Sequence, residues 1–240
     1  MDTQIGEAVV FYSEKRRIIG WLHHSDAPSP PVVVGLHGLF SNADSPKQIA
    51  LARACAAAGI SYLRFHHRGC APSEGDRRDL FSFGGRCKDL LAAVEWIRNR
   101  SGLGAGLGLF GSSLGAAVCL REAERLQAAA VVTFAAPVRS SDIPGAAVAA
   151  EWGEPIRQPD RAALTFDLTS RLPGIRRILA AHGDTDTVVP YSHALEIHAA
   201  ARPPKKLLTL PGGDHRMSRP EHQQTFLAAA TEWFGTHLLR

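Results

Sequence analysis

Ser113 lies at the centre of Gly111-Ser112-Ser113-Leu114-Gly115, a G-x-S-x-G pentapeptide between the apolar run Leu107-Gly108-Leu109-Phe110 and a helix-forming segment. A serine at the tip of a tight strand-to-helix turn is forced into an uncommon backbone conformation, and bulky side chains two residues to either side would collide. Gly111 and Gly115 remove those side chains. Such a turn lifts the hydroxyl above a sheet, and the free N–H groups opening the next helix, beginning with that of Leu114, point at any oxyanion that develops. A serine hydroxyl is a poor nucleophile at neutral pH, so it needs a base within hydrogen-bond reach and a carboxylate to orient that base. Two later loops offer these partners. Gly183-Asp184-Thr185-Asp186-Thr187-Val188-Val189-Pro190 follows an apolar run ending at His182, and Pro211-Gly212-Gly213-Asp214-His215 follows another ending at Leu210. The chain order Ser113, Asp186, His215 is the expected one, with Asp184 and Asp142 as competing acids.

These residues can meet only if a sheet brings their loops to one edge. The sequence predicts an antiparallel pair over 4–13 and 16–25, then a strand at Val32-Val33-Val34-Gly35-Leu36-His37-Gly38, whose continuous β-branched run fits a strand buried on both faces. A helix follows, capped by Ser45 with Pro46 at its first position and stopped by Gly59. Further strands are expected at 60–66, 107–111, 129–135, 177–183 and 206–210, and further helices at 83–100, from the elbow to about 127, at 191–201 and at 221–239. Alternation of this kind gives a mostly parallel sheet covered by helices on both faces, with the loops after its strands at one edge. Residues 137–174 break the rhythm with Pro137, Pro144, Pro155, Pro159 and Pro173, and are expected to form a short lid on the active side of a single domain spanning 1–240. Trp152 and Phe166 are the bulky residues available there to wall a substrate pocket.

Composition narrows the function classes. With 240 residues, 45% of them hydrophobic, the chain can bury a sizeable core. Its net charge of +4 comes from dispersed arginines rather than a basic run, so no nucleic-acid partner is expected. The N-terminal stretch has no basic start or apolar core of a signal peptide, and no run approaches a membrane span; the expectation is a cytoplasmic protein without membrane contact. Four cysteines lack C-x-x-C spacing, and the histidines lack H-E-x-x-H, which argues against zinc and disulfides.

The motifs together resemble those of the α/β-hydrolases. Gly111-Ser112-Ser113-Leu114-Gly115 is similar to the family's nucleophile elbow, His182-Gly183-Asp184-Thr185-Asp186 with Val189-Pro190 to its H-G-x-x-D-x-x-V-P acid loop, and Gly212-Gly213-Asp214-His215 to its G-x-x-H base loop. His37-Gly38-Leu39-Phe40 resembles the H-G-x oxyanion loop of small esterases, which implies that the Leu39 amide joins that of Leu114. Arg68-Gly69-Cys70-Ala71-Pro72-Ser73 is similar to an R-G-x-G-x-S turn, with Ala71 in place of a glycine. The motif spacing favours Asp186 over Asp184, which reads as a turn former. The resemblance implies an α/β-hydrolase fold and a serine esterase of short to medium acyl chains or compact aromatic acids, needing no cofactor or metal, with a small acyl ester as its partner. A thioesterase, a small peptidase or a non-catalytic binding protein of the same fold are the alternatives, and the oligomeric state is left open.

Overall fold

A computed structural model describes residues 6–152 and 158–239; the side chains of residues 146, 149, 151, 152, 158 and 159 are not among those described. The Trp152 side chain, expected at a substrate pocket, therefore falls outside the described residues.

Eight strands form one sheet in the order β1-β2-β4-β3-β5-β6-β7-β8. The first two, β1 (Glu7–Ser13) and β2 (Arg16–His23), make the expected antiparallel hairpin, and β2 runs antiparallel to β4 (Ser61–Phe65). From there β3 (Val32–Leu36), β5 (Leu107–Ser112), β6 (Ala130–Phe134), β7 (Arg176–Gly183) and β8 (Arg202–Leu210) are all parallel to their neighbours. Every residue of β3, β4 and β6 is buried. Covered on both faces, β3 reads as an unbroken apolar run and β6 nearly so, whereas β4 carries Arg64, whose guanidinium is satisfied by His23, the Ala43 carbonyl and Asp44.

The two faces are packed separately. Val32, Val34 and Leu36 face the layer of α3 (Phe83–Arg98) and α4 (Leu114–Leu126), where they meet Leu90, Val94, Val118 and Leu120. Val33 points the other way, into a cluster with Leu51 of α1 (Pro46–Ala57) and Phe226 and Phe234 of the C-terminal helix Pro220–Leu238. A short helix, α2 (Arg77–Leu80), was not legible in the turn-rich loop after β4; Asp76 opens it as N-cap with a capping box to Asp79.

Strand β8 starts earlier than the apolar pattern implied, at Arg202, and takes in Pro203 and Pro204. Its place explains this. β8 is the last strand of the sheet, so one side of its backbone needs no ladder partner and proline is tolerated there.

Residues 137–174 hold two 3-10 turns, Ser140–Asp142 and Thr169–Gly174, and two short helices, α5 (Gly145–Trp152) and α6 (Gln158–Ala163). Val138, Leu168 and Leu172 are buried in the main core, whereas Ile143 packs with Val148 and Val188 beside the sheet edge.

Candidate active site

β3 lies between β4 and β5, so the loop after β3 and the turn after β5 leave the sheet side by side at its C-terminal edge. At the second of these Ser113 has φ +52° and ψ −122°, a conformation that side-chain-bearing residues avoid. Its surroundings hold it there. A Cβ on Gly111 would lie 2.4 Å from the Gly115 carbonyl oxygen and 2.5 Å from the Ala116 nitrogen, and one on Gly115 would lie 2.4 Å from the Leu36 carbonyl oxygen. Both glycines are thus required by close backbone approach. The Ser113 amide is pinned to the Phe134 carbonyl at 2.8 Å, and the Ser113 carbonyl accepts from Ala116 to start α4.

The structure brings Ser113, His215 and Asp186 into one hydrogen-bonded chain. His215 Nε2 is 3.1 Å from Ser113 Oγ, and His215 Nδ1 donates to Asp186 Oδ2 at 2.8 Å. The other Asp186 oxygen accepts from the Val188 and Val189 amides at 2.8 and 2.9 Å, and His182 Nε2 donates to Asp186 Oδ2 at 3.1 Å and to the Val189 carbonyl at 3.0 Å. Burial alone would raise the Asp186 carboxyl; the hydrogen bonds from His182 and His215, the His215 charge and the Val189 amide outweigh it and hold Asp186 far below the usual carboxylate range. Asp186 is therefore a fixed anion beneath the imidazole, and with Nδ1 protonated, Nε2 is left to accept from the Ser113 hydroxyl. His182 was part of the acid-loop motif, but its role as a clamp on Asp186 depends on a ring orientation that sequence does not show.

The competing acids are elsewhere. Asp184 accepts from the Gly212 amide at 2.6 Å and braces the two loops, and Asp142 pairs with Arg139 at 2.8 Å. Leu39 and Leu114 flank Ser113, and neither amide makes a hydrogen bond among the described residues. A Cβ on Gly38 would lie 3.2 Å from Ser113 Cβ, so the Leu39 loop passes directly over the elbow.

That loop is anchored from below by a buried polar cluster that joins His37 and Arg68 of the motifs to His67, Arg86 and Asp89 outside them. His37 Nδ1 donates to the Gly38 carbonyl at 2.8 Å, its Nε2 accepts from the His67 amide at 3.2 Å, and Arg86 of α3 donates to the His37 carbonyl at 3.2 Å. Burial pushes the His37 imidazole well below its usual range, so it stays neutral and can both donate and accept. Asp89, also on α3, accepts from the Arg68 guanidinium at 2.8 Å, the Arg68 amide at 3.0 Å and His67 Nδ1 at 3.3 Å. Burial raises the Asp89 carboxyl, but the hydrogen bonds and charges of His67 and Arg68 prevail and bring it to about 2.

Two cavities open beside Ser113. One, of about 280 Å³, is lined by Leu39, Ile143, Val148, Leu164, Phe166 and Val188, and is largely apolar. Phe166, placed at the pocket as expected, also stacks on Phe83 with ring centroids 4.4 Å apart. The other, of about 550 Å³, is bordered by His215 and by Lys47, Gln48, Ser112, Arg216 and Gln223. Among the described residues no group of His, Cys, Asp and Glu is arranged to hold a metal, and no helix is long and apolar enough to cross a membrane.

A parallel sheet with an elbow serine at its C-terminal edge, backed by a histidine and an aspartate from later loops, defines an α/β-hydrolase. Residues 27–157 match a family model described as "Serine aminopeptidase, S33", and the chain belongs to that family of hydrolases. An uncharacterized protein of Mycobacterium tuberculosis (strain H37Rv) is 31% identical over 218 residues, which cover 87% of this chain and 72% of the relative. The uncharacterized YfhR of Escherichia coli K12 is 29% identical over 165 residues, covering 65% of this chain and 53% of YfhR. Among solved structures, esterase Pf2001 from Pyrococcus furiosus superposes with a TM-score of 0.83 at 18% identity, over 99% of this chain and 93% of that one. Est1E from Butyrivibrio proteoclasticus with bound ferulic acid gives 0.81 at 18% identity, over 97% and 100%. At such identities the likeness is one of fold.

Proposed function

We propose that the protein is a serine esterase that cleaves a carboxylic ester of a short to medium or compact aromatic acid through an acyl-enzyme. The observation that carries this reading is the unbroken chain from Ser113 Oγ through His215 to Asp186, ending on a strained elbow with two unused amides beside it. Ser113 Oγ attacks the ester carbonyl while His215 Nε2 takes its proton, and the carbonyl oxygen becomes an oxyanion held by the Leu39 and Leu114 N–H groups. Collapse expels the alcohol, which leaves with the proton from His215. Water, deprotonated by the same Nε2, then attacks the acyl-enzyme and releases the acid. Asp186 keeps the imidazole in the required tautomer and stabilises the imidazolium.

The two cavities divide the substrate. His215 must reach the departing oxygen, so the cavity it borders takes the alcohol, and the apolar cavity on the Leu39 side takes the acyl group. A volume of about 280 Å³ is just under the range of drug-sized sites, ~300–1,000 Å³, and suits a short chain or one ring rather than a long lipid. Residues of 137–174 supply Ile143, Val148, Leu164 and Phe166 to that wall, which supports a lid role for this segment. An aminopeptidase would need a carboxylate to hold the free α-ammonium beside the scissile carbonyl; among the described residues neither cavity is lined by Asp or Glu.

A fluorophosphonate probe and a series of para-nitrophenyl esters test the proposal. The expected result is one covalent adduct on Ser113 and turnover that peaks at short to medium acyl length. No adduct, or an adduct on another serine, overturns it.

A further inference from the structure

We propose that the cavity bordered by His215 recognises a carboxylate on the leaving alcohol, so that the substrates are esters whose alcohol part is an anionic hydroxy acid. This rests on Ser113 and His215 working as described above, since that is what makes this cavity the alcohol side.

Three donors from the start of α1 meet there, the Lys47 ammonium and two backbone N–H groups, with the Gln48 side-chain amide buried beneath them. Lys47 reaches over the Phe134 ring, with Nζ 3.9 Å from its centroid, and donates to Ser112 Oγ at 3.4 Å. It has no carboxylate within ion-pair distance among the described residues, whereas the buried Arg64 and Arg68 each pair with an aspartate and the buried Arg86 donates to the His37 carbonyl. Burial pushes the Lys47 ammonium down to about 7, with Asp214 and Asp186 pulling the other way from a distance; an ammonium in that position lacks a counter-ion. Gln48, next along, is 1% exposed and lines the same cavity. Its Oε1 accepts from the Tyr62 hydroxyl at 2.6 Å, and its Nε2 has no acceptor. A buried amide donor without an acceptor is destabilising.

The helix start adds two more donors. Ser45 makes no side-chain cap, and the backbone N–H groups of Lys47 and Gln48 have no acceptor among the described residues, while Pro46 has no N–H. The cavity thus presents an ammonium and an uncapped helix N-terminus, with no acidic side chain in its lining, and the buried Gln48 amide lies beneath them. A single-charged carboxylate matches this set.

The test compares para-(butanoyloxy)benzoate with its methyl ester, which share the acyl group and differ in one charge on the alcohol side. Wild type should favour the anionic ester about tenfold in kcat/KM, mostly through KM. That ratio should fall to near one in Lys47→Met and return in Lys47→Arg, whereas mono-para-nitrophenyl succinate, with its carboxylate on the acyl side, should show no preference that depends on Lys47. Calorimetry with para-hydroxybenzoate should show binding that weakens about tenfold in Lys47→Met. An enzyme that turns over the neutral ester but shows a ratio near one, or a ratio unmoved by Lys47→Met, or that fails to bind para-hydroxybenzoate, overturns the carboxylate site. If para-hydroxybenzoate binds through Lys47 and yet neither ester is cleaved and Ser113 takes no probe, the esterase reading is overturned and the carboxylate site stands.

Discussion

Ser113 Oγ is a half-exposed oxygen that touches His215 and contributes nothing to the core, so Ser113→Ala should leave the melting temperature nearly unchanged while ester hydrolysis falls by 10⁴-fold or more, on the order of what triad nucleophiles lose. Retention of a tenth of the activity would remove Ser113 from the mechanism. The two neighbouring aspartates separate by their partners. Asp186 receives His215 Nδ1, His182 Nε2 and two amides, whereas Asp184 receives one loop amide. Asp186→Asn should therefore cost on the order of 10³ to 10⁴ in kcat by presenting the wrong tautomer, and Asp184→Asn should cost less than tenfold. Steady-state kinetics of the pair decide it, and the reverse ranking would move the acid to Asp184.

Elements place these atoms, and α3 does so for the Leu39 loop. Its Asp89 binds Arg68 and His67, whose amide holds His37, and its Arg86 holds the His37 carbonyl. Breaking a buried charge pair by removing one partner costs on the order of 3–5 kcal/mol, so Asp89→Asn should lower the melting temperature by many degrees and also lower kcat/KM by loosening the loop. The pH dependence has a definite sign. Asp89 titrates near 2 when folded and ~3.9 when unfolded, so its stabilisation is complete above pH ~4 and is lost as pH falls toward 2. Thermal melts of wild type and Asp89→Asn should converge over that window; a gap that stays constant would assign the cluster no electrostatic role. Residues 137–174 work at the same scale but in two parts. Because Leu168 and Leu172 belong to the main core, a Gly-Ser linker should replace only 141–162. That change should alter the acyl-length profile and raise KM more than it lowers kcat, since the serine and histidine stand on the sheet. An unchanged ester profile in a folded variant would rule out the lid.

For the molecule as a whole, the burden on the sequence was uneven. The sheet was legible because strands covered on both faces favour continuous apolar runs, Val32-Val33-Val34 and Ala130-Val131-Val132 among them, and because a serine elbow demands glycines at 111 and 115 whatever the rest of the chain does. Ser113, His215 and Asp186 could be named for the same reason: each follows a strand of a parallel sheet, and parallel strands deliver their following loops to one edge. The start of β8 escaped notice, since the permission for Pro203 and Pro204 comes from an edge position that no local pattern encodes. So did the clamp of His182 on Asp186, the anchoring of the Leu39 loop by Arg86 and Asp89, and the meeting of Lys47 and Gln48 with the cavity beside His215. Local sequence determines what each segment is and which backbone conformations it accepts. Only the tertiary structure decides that Lys47 of α1 reaches Ser112 beside the serine and that Arg86 and Asp89 of α3 brace the loop that passes over it, because hydrogen bonds and ion pairs act through space and leave no period along the chain.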